Sequence, residues 1–229
     1  MRKQIALFMA ILTLGCLCGC QKSETKPSDV YSSSDAYPEH QPNQNRQGAG
    51  NKDDTSEGIV NPLTGLADGI SEDKLNRKPA AIMVSNSADS LPQWGISQAD
   101  IIYEMLAEGR ITRLLALFQD PSKIDKLASI RSARPYFIDI AQSYGAVYFH
   151  FGGSVPAYDA IKARSDLIHI DGVKGDWEGT LYIRDAERRK TLAQEHTVTT
   201  TGEKIEEALT KLNVPLAQEG NPSAFSFGE

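Results

Sequence analysis

Residues 99–118 read Ala-Asp-Ile-Ile-Tyr-Glu-Met-Leu-Ala-Glu-Gly-Arg-Ile-Thr-Arg-Leu-Leu-Ala-Leu-Phe. In the first half Ile101, Tyr103, Met105 and Ala107 alternate with Ile102, Glu104, Leu106 and Glu108. A period of two marks a half-buried strand. Ile111 to Phe118 is a second β-like run, and Gly109 stands between the two. The segment therefore predicts a β-hairpin. With Glu108 and Gly109 as a two-residue loop, Glu104 falls opposite Arg113. Such an opposite-charge cross-strand pair adds about 0.2–1 kcal/mol. A helical Ile101–Glu108 would remove it.

Outward from the hairpin, strands and helices alternate. Ala80 to Val84, after Pro79, predicts a buried strand. Ser129 to Arg134 is a polar loop, and Pro135 suits the first position of a helix. That helix continues to Ser143 with Phe137, Ile140 and Ala141 on one side, and Gly145 ends it. Ala146 to Phe151 predicts a strand running into Gly152-Gly153. Val155 to Ala163 predicts a helix, and Asp166 to Ile170 and Leu181 to Ile183 predict short strands. Thr201 to Leu212 is an amphipathic helix with Ile205, Leu209 and Leu212 at helical spacing. The fold class is α/β (or α+β), a mixed sheet flanked by short helices.

The N-terminus has another character. Arg2 and Lys3 precede an apolar run from Ile5 to Leu17, too short to span a bilayer comfortably. A basic start, a short apolar core and small residues describe an export signal. The run ends in Leu17-Cys18-Gly19-Cys20, which resembles the bacterial lipobox. Cys16 and Cys18 fit that pattern less well, so Cys20 is the expected lipidation site. The resemblance implies a diacylglycerol anchor carrying acyl chains such as palmitate. It implies a location on the extracellular face of the cytoplasmic membrane. Each buried acyl CH₂ adds about 0.8 kcal/mol, and stable anchoring takes two or more chains. The plainer alternatives are an uncleaved membrane anchor or an ordinary secretory signal.

Residues 1–19 are thus read as a signal peptide and 20–57 as a tether. Gln21 to Glu57 is rich in Ser, Asn, Gln, Asp, Pro and Lys, and such a stretch buries too little apolar surface to offset its ordering entropy. Residues 58–229 are read as one globular domain. Ala224 to Glu229 resembles the start of a β segment, so that domain is expected to be truncated at its C-terminus. The chain has 24 Lys+Arg against 30 Asp+Glu, a net charge of −6. Without Arg2 and Lys3 the 24 falls to 22 and the charge to −8. That balance argues against bulk nucleic-acid binding. All 3 cysteines lie in the first twenty residues, so the domain is expected to use neither disulfides nor thiol chemistry.

Several segments occur together in a recognisable order: Asn61-Pro-Leu-Thr-Gly65, Lys78-Pro-Ala-Ala-Ile-Met-Val84, Ser97-Gln-Ala-Asp-Ile-Ile-Tyr-Glu104, Glu108-Gly-Arg-Ile-Thr-Arg113, Ile130-Arg-Ser-Ala-Arg-Pro-Tyr-Phe137 and His150-Phe-Gly-Gly153. The set resembles the YerB-like lipoproteins, a family of domains of unknown function in Gram-positive bacteria. The resemblance covers about Asn61 to Leu212 and implies a signal, a linker, this domain and a smaller domain after it. It implies no established reaction. Leu91 stands where the family pattern has an arginine.

The arginines carry the functional reading. Arg110, Arg113, Arg131 and Arg134 sit near sharp turns of an acidic protein. Ser129 to Arg134 places two guanidinium groups at an expected helix N-terminus, which favours anions, and arginine contacts phosphate or carboxylate bidentately. One reading is an anion site for a wall polymer, a polyprenyl phosphate or a terminal carboxylate. The plainer reading is ion pairing with Asp100, Glu104, Glu108 or Asp139, since structural networks also gather such charges.

A weaker resemblance is to the LytR-CpsA-Psr enzymes, which transfer phosphorylated polymers to the wall. Asp100, Ser129-Ile-Arg131 and Phe151-Gly-Gly153 follow their order, but Pro135 follows Arg134 where that family has an Asp. The resemblance implies a transferase or hydrolase, with Asp100, Glu104 and Asp139 as candidate bases and Mg²⁺ as helper. A third alternative is a protein-interaction scaffold.

His150, in an apolar strand, reads as a hydrogen-bonded core residue, and His196 as part of a solvated face. His169, Asp171 and Asp176 match no metal spacing, and no metal or other cofactor is expected. The leading expectation is a non-enzymatic envelope lipoprotein that binds an anionic wall or lipid ligand.

Overall fold

The computed structural model describes residues 59–215 and 217. The signal segment, Cys20, the tether and residues 224–229 lie outside the described residues. The main sheet contains β1 (Ala80–Ser85), β2 (Ile101–Leu106), β3 (Thr112–Phe118), β5 (Val147–His150) and β6 (His169–Asp171), in the order β2-β3-β1-β5-β6. β3 is antiparallel to both β2 and β1, while β5 is parallel to β1 and β6 to β5. The carboxyl ends of β1, β2, β5 and β6 therefore share one edge. The mixed α/β architecture read from the sequence is the one observed.

β1 is buried at every position, as a central strand covered on both faces must be. Its side chains alternate between two cores. Ala81 and Met83 join Leu115, Leu117 and Tyr148 beneath α2 (Pro135–Ser143) and α3 (Val155–Lys162), which contribute Phe137, Ile138, Ala141 and Ala157. Ala80, Ile82 and Val84 join Leu114, Ala116, Phe118, Phe149 and Ile170 on the other face. That face is covered by α4 (Gly202–Lys211) and a small antiparallel sheet of β4 (Leu127–Ala128), β8 (Val198–Thr200) and β7 (Ile183–Arg184). β2 lies at the sheet edge with alternating exposure, as its period of two requires.

Pro135 occupies the first turn of α2, as expected. The hairpin forms, but its register differs from the expected one. Glu104 pairs with Leu114, and Met105 with Arg113. The connection is longer than two residues: Ala107 N–H donates to the Ile111 carbonyl at 2.8 Å, enclosing a tight turn over Glu108–Arg110. Gly109 and Arg110 both adopt φ of 65°. The extra turn shifts the register, and a one-residue shift moves a side chain to the other face of a strand. Glu104 therefore bonds Thr112 and Asn86 instead of Arg113.

In α4, Thr201 is the N-cap and its hydroxyl accepts from Lys204 N–H. Ile205, Ala208 and Leu209 are buried, whereas Leu212 lies past the helix end and is exposed. Gly202 opens the helix against the loop at Pro121. A Cβ there would lie 2.2 Å from the Pro121 carbonyl oxygen and 2.7 Å from that of Ser122. Backbone cannot yield cheaply, and overpacking of this kind costs about 1–3 kcal/mol. Gly202→Ala is expected to lower the urea-unfolding midpoint accordingly. Gly69→Ala, at a site with nothing within 4 Å, carries only the strain of its positive φ.

Candidate functional site

Segment 129–134 crosses the carboxyl edge and is stitched into it by backbone hydrogen bonds. Ser85 N–H donates to Ser129 O, Ile130 N–H to Val198 O, and Arg131 N–H to Met83 O. Phe151 N–H donates to Arg131 O, and Ala133 N–H to Gly152 O. The segment then enters α2 with Arg134 as N-cap. Arg113 reaches the same edge because β3 pairs Arg113 with Ser85, the last residue of β1. The carboxyl edge of parallel strands is where open α/β sheets place ligands.

The four arginines have different environments. Arg113 is 5 % exposed, and its Nη1 donates to the Ser132 carbonyl at 2.9 Å. Burial, followed by the charges of Arg134 and Arg131, pulls its pKa down to about 10, still protonated at neutral pH. Arg134 donates Nε and Nη2 to the two carboxylate oxygens of Glu108, and Nη1 to its neighbour's carbonyl, Ala133 O. Arg113 Nη2 lies 3.7 Å from the same carboxylate. Arg131 donates Nη1 to the Glu195 carbonyl at 2.8 Å, and its Nε is buried without a partner. Arg110 is exposed on the hairpin tip, in the left-handed region.

Of the four carboxylates named for the plainer reading, Glu108 alone pairs with these arginines among the described residues. Its hydrogen bond from Arg134 holds its carboxyl at about 2. Asp100 lies at the opposite edge, where it accepts from Asn61 Nδ2 at 2.8 Å and from Gln119 N–H at 2.6 Å. Burial pushes its carboxyl up. Asp139 sits on the exposed side of α2, paired with Arg164. Glu104 pairs with Leu114, on the face of the hairpin away from Arg113, and is bound to Asn86 and Thr112. The three candidate bases are therefore not assembled together.

The histidines divide. His150 is a fully buried hydrogen-bonded core residue. Its Nδ1 lies 2.8 Å from the Gly152 carbonyl, and its Nε2 lies 3.1 Å from His169 Nδ1. A carbonyl only accepts, so Nδ1 carries the proton and Nε2 accepts from His169. His196 is not on a solvated face. It is 7 % exposed, with Nδ1 buried and unpaired. Burial, then the charge of Arg131, lowers its pKa. Asp171 accepts from Gly152 N–H, Val173 N–H and the Tyr158 hydroxyl, while Asp176 is exposed. No cluster of three or more metal-ligating side chains occurs among the described residues.

The sequence reading missed the partners of Arg131, since Glu195 and His196 lie more than 60 positions further on. It also missed Arg188. That side chain is buried and donates to the carbonyls of Ser90, Pro92 and His196, bracing the segment that contains Leu91. Its partners lie up to 98 positions away, beyond the reach of any local pattern.

Burial lowers the His150 pKa to about 4, against about 6.5 for an unperturbed histidine. Between those values the unfolded chain binds a proton that the folded chain refuses. His150 therefore contributes full stability above about pH 6.5 and loses it as pH falls to about 4, by about 3 kcal/mol in all. His169 and His196 shift in the same direction. Urea midpoints are expected to fall between pH 7 and pH 4.5, and His150→Gln is expected to flatten that slope.

Comparison with known proteins places the chain. Residues 63–215 match the family model described as "Protein of unknown function (DUF3048) N-terminal domain". A Bacillus subtilis (strain 168) protein named "Putative lipoprotein YerB" is 35% identical over 177 residues, covering 77% of this chain and 50% of its own length. The crystal structure of YerB protein from Bacillus subtilis superposes with a TM-score of 0.63 at 32% identity, covering 75% of this chain and 56% of that one. The chain thus spans about half the length of the relative that it matches. By its matched family model and its sequence, the chain belongs to the DUF3048 family of YerB-like proteins.

Proposed function

We propose that this protein is a cell-envelope lipoprotein, anchored through a diacylglycerol on Cys20 at the extracellular face of the cytoplasmic membrane. Its arginine edge binds an anionic component of the wall or of a lipid. The lipoprotein name of the Bacillus subtilis relative supports the anchor. Arg131 carries the ligand reading. Its Nε is buried and unpaired, its Nη1 is bonded to a carbonyl, and the neighbouring His196 Nδ1 is unpaired as well. An unmet buried donor on a cation costs several kcal/mol less when an anion reaches it. Burial already depresses the Arg131 pKa, so an arriving negative charge gains a strong field in a partly desolvated place.

The transferase alternative has less support. It needs a base or metal carboxylates beside the arginines, and Asp100 and Asp139 are held elsewhere by Asn61, Gln119 and Arg164. Binding asks only for the guanidinium groups.

The test is thermal unfolding of the detergent-solubilised full chain with teichoic-acid fragments, peptidoglycan fragments and short-chain polyprenyl phosphate, each with and without Mg²⁺. A ligand at about 100 times its Kd stabilises by roughly 2.7 kcal/mol. One of these anions is expected to raise the Tm, and Arg131→Ala is expected to abolish the rise while the variant still unfolds cooperatively. A rise that needs Mg²⁺ would favour the transferase. No rise with any of them would turn the assignment toward a protein partner.

A further inference from the structure

The pair Arg113–Arg134 is filled differently from Arg131. Its occupant comes from the chain itself. Both oxygens of Glu108 meet the Nε and Nη2 of Arg134 in the parallel two-bond arrangement that guanidinium makes with a carboxylate. Arg113 stands behind, 3.7 Å from the same group. The receptor does not depend on this occupant for its shape. Arg113 is fixed by the Ser132 carbonyl and Arg134 by the Ala133 carbonyl, and both residues bearing those carbonyls belong to the stitched segment 129–134.

The occupant is held far less firmly. The Glu108 side chain is 60% exposed, whereas those of Arg113 and Arg134 are 6% and 11% exposed. It sits in a turn of three residues with two consecutive left-handed positions, Gly109 and Arg110. A Cβ on Gly109 would meet nothing within 4 Å, so that residue faces open space, while the Tyr136 hydroxyl holds the base of the turn by donating to the Leu106 carbonyl at 2.6 Å. The flanking Leu106 and Ile111 are exposed as well. The pair is bidentate, but so exposed a carboxylate stands open to competition from dissolved anions. Arg110 at φ 65° takes a conformation uncommon for a residue with a side chain, which works against the closed turn.

We propose that Arg113 and Arg134 form a carboxylate-binding subsite of the arginine edge, in which Glu108 is an exchangeable internal occupant. The external ligand carries a carboxylate. It enters as the hairpin tip lifts Glu108 away, and no covalent step is involved. This subsite rests on the arginine-edge reading for its location, but it names the chemical group that the edge selects.

Chemical rescue tests it with the full chain. Glu108→Ala is expected to lower the Tm in chloride buffer. Replacing chloride by acetate at constant ionic strength is expected to raise it by about 2–4 °C, as an anion refills the fork. The wild type and the double variant Glu108→Ala/Arg134→Ala should show no such rise. If that double variant does not fold, Glu108→Ala/Arg134→Lys serves, since lysine keeps the charge and lacks the fork. Equal acetate response in Glu108→Ala and in the double variant overturns the subsite. Rescue by inorganic phosphate and not by acetate overturns the carboxylate assignment while leaving an anion edge. Absence of rescue by either anion, with Arg131-dependent stabilisation by wall fragments intact, overturns this inference and leaves the proposed function standing. Absence of both sinks the two together.

Discussion

The hydrogen bonds that fasten residues 129–134 across the carboxyl edge are the constraint on which the rest of this structure depends. Five backbone bonds tie the segment to β1, to β8 and to the end of β5. Guanidinium groups of like charge repel, and Arg131 and Arg134 each push the Arg113 pKa down. Side chains on a loose loop would separate. Here the backbone restrains them, and Arg113, Arg131 and Arg134 each donate Nη1 to a carbonyl, of Ser132, Glu195 and Ala133 respectively. The site is therefore preorganised by the ladder of a sheet, not by its own electrostatics.

The fold makes that edge available by topology. β3 runs against its neighbours between β2 and β1. Its amino-terminal half consequently delivers Arg113 to the edge where β1 and β5 end. The hairpin tip that precedes β3 brings Glu108 to the same place. On the opposite edge, Asn61 bridges Asp68 and Asp100, and Asp100 receives the amide of Gln119. The turn at Asn61 thus fastens the start of the hairpin. One edge is built for closure, with acids paired to amides. The other gathers Arg113 and Arg134 around the exposed carboxylate of Glu108.

Much of the fold was legible because its elements are local. The period of two in β2, the apolar run of β1, Pro135 at the start of α2 and the helical spacing of Ile205 and Leu209 need no distant partner to be recognised. The failures have a common cause in distance or in geometry too fine for a pattern. β4 and β7 have two residues each and β8 has three, too few for any periodicity. The buried threonines of β8 find their partners in the carbonyls of Leu181 and Ile183, which sequence spacing does not announce. The hairpin register turned on whether Arg110 would accept a positive φ. His196 looked solvated because its neighbours in sequence are polar, yet it packs beside an arginine 65 positions away. Arg110 stands on the exposed hairpin tip, whereas Arg113, Arg131 and Arg134 lie within reach of one another's charges. Their division into a fork paired with Glu108 and an Arg131 whose Nε has no partner was not legible, because it depends on where Glu108 points.

The most direct measurement is the arginine Nε–Hε correlation spectrum of the full chain labelled with ¹⁵N-arginine, recorded with and without teichoic-acid fragments. On binding, the Arg131 signal, from an Nε without a partner in the free protein, is expected to move downfield, with Arg113 and Arg134 following. Arg77 and Arg164, paired with Glu206 and Asp139, should stay where they are. Movement of Arg77 and Arg164 with no change at Arg131, under conditions where the fragments bind, would contradict the assignment of the carboxyl edge as the anion site.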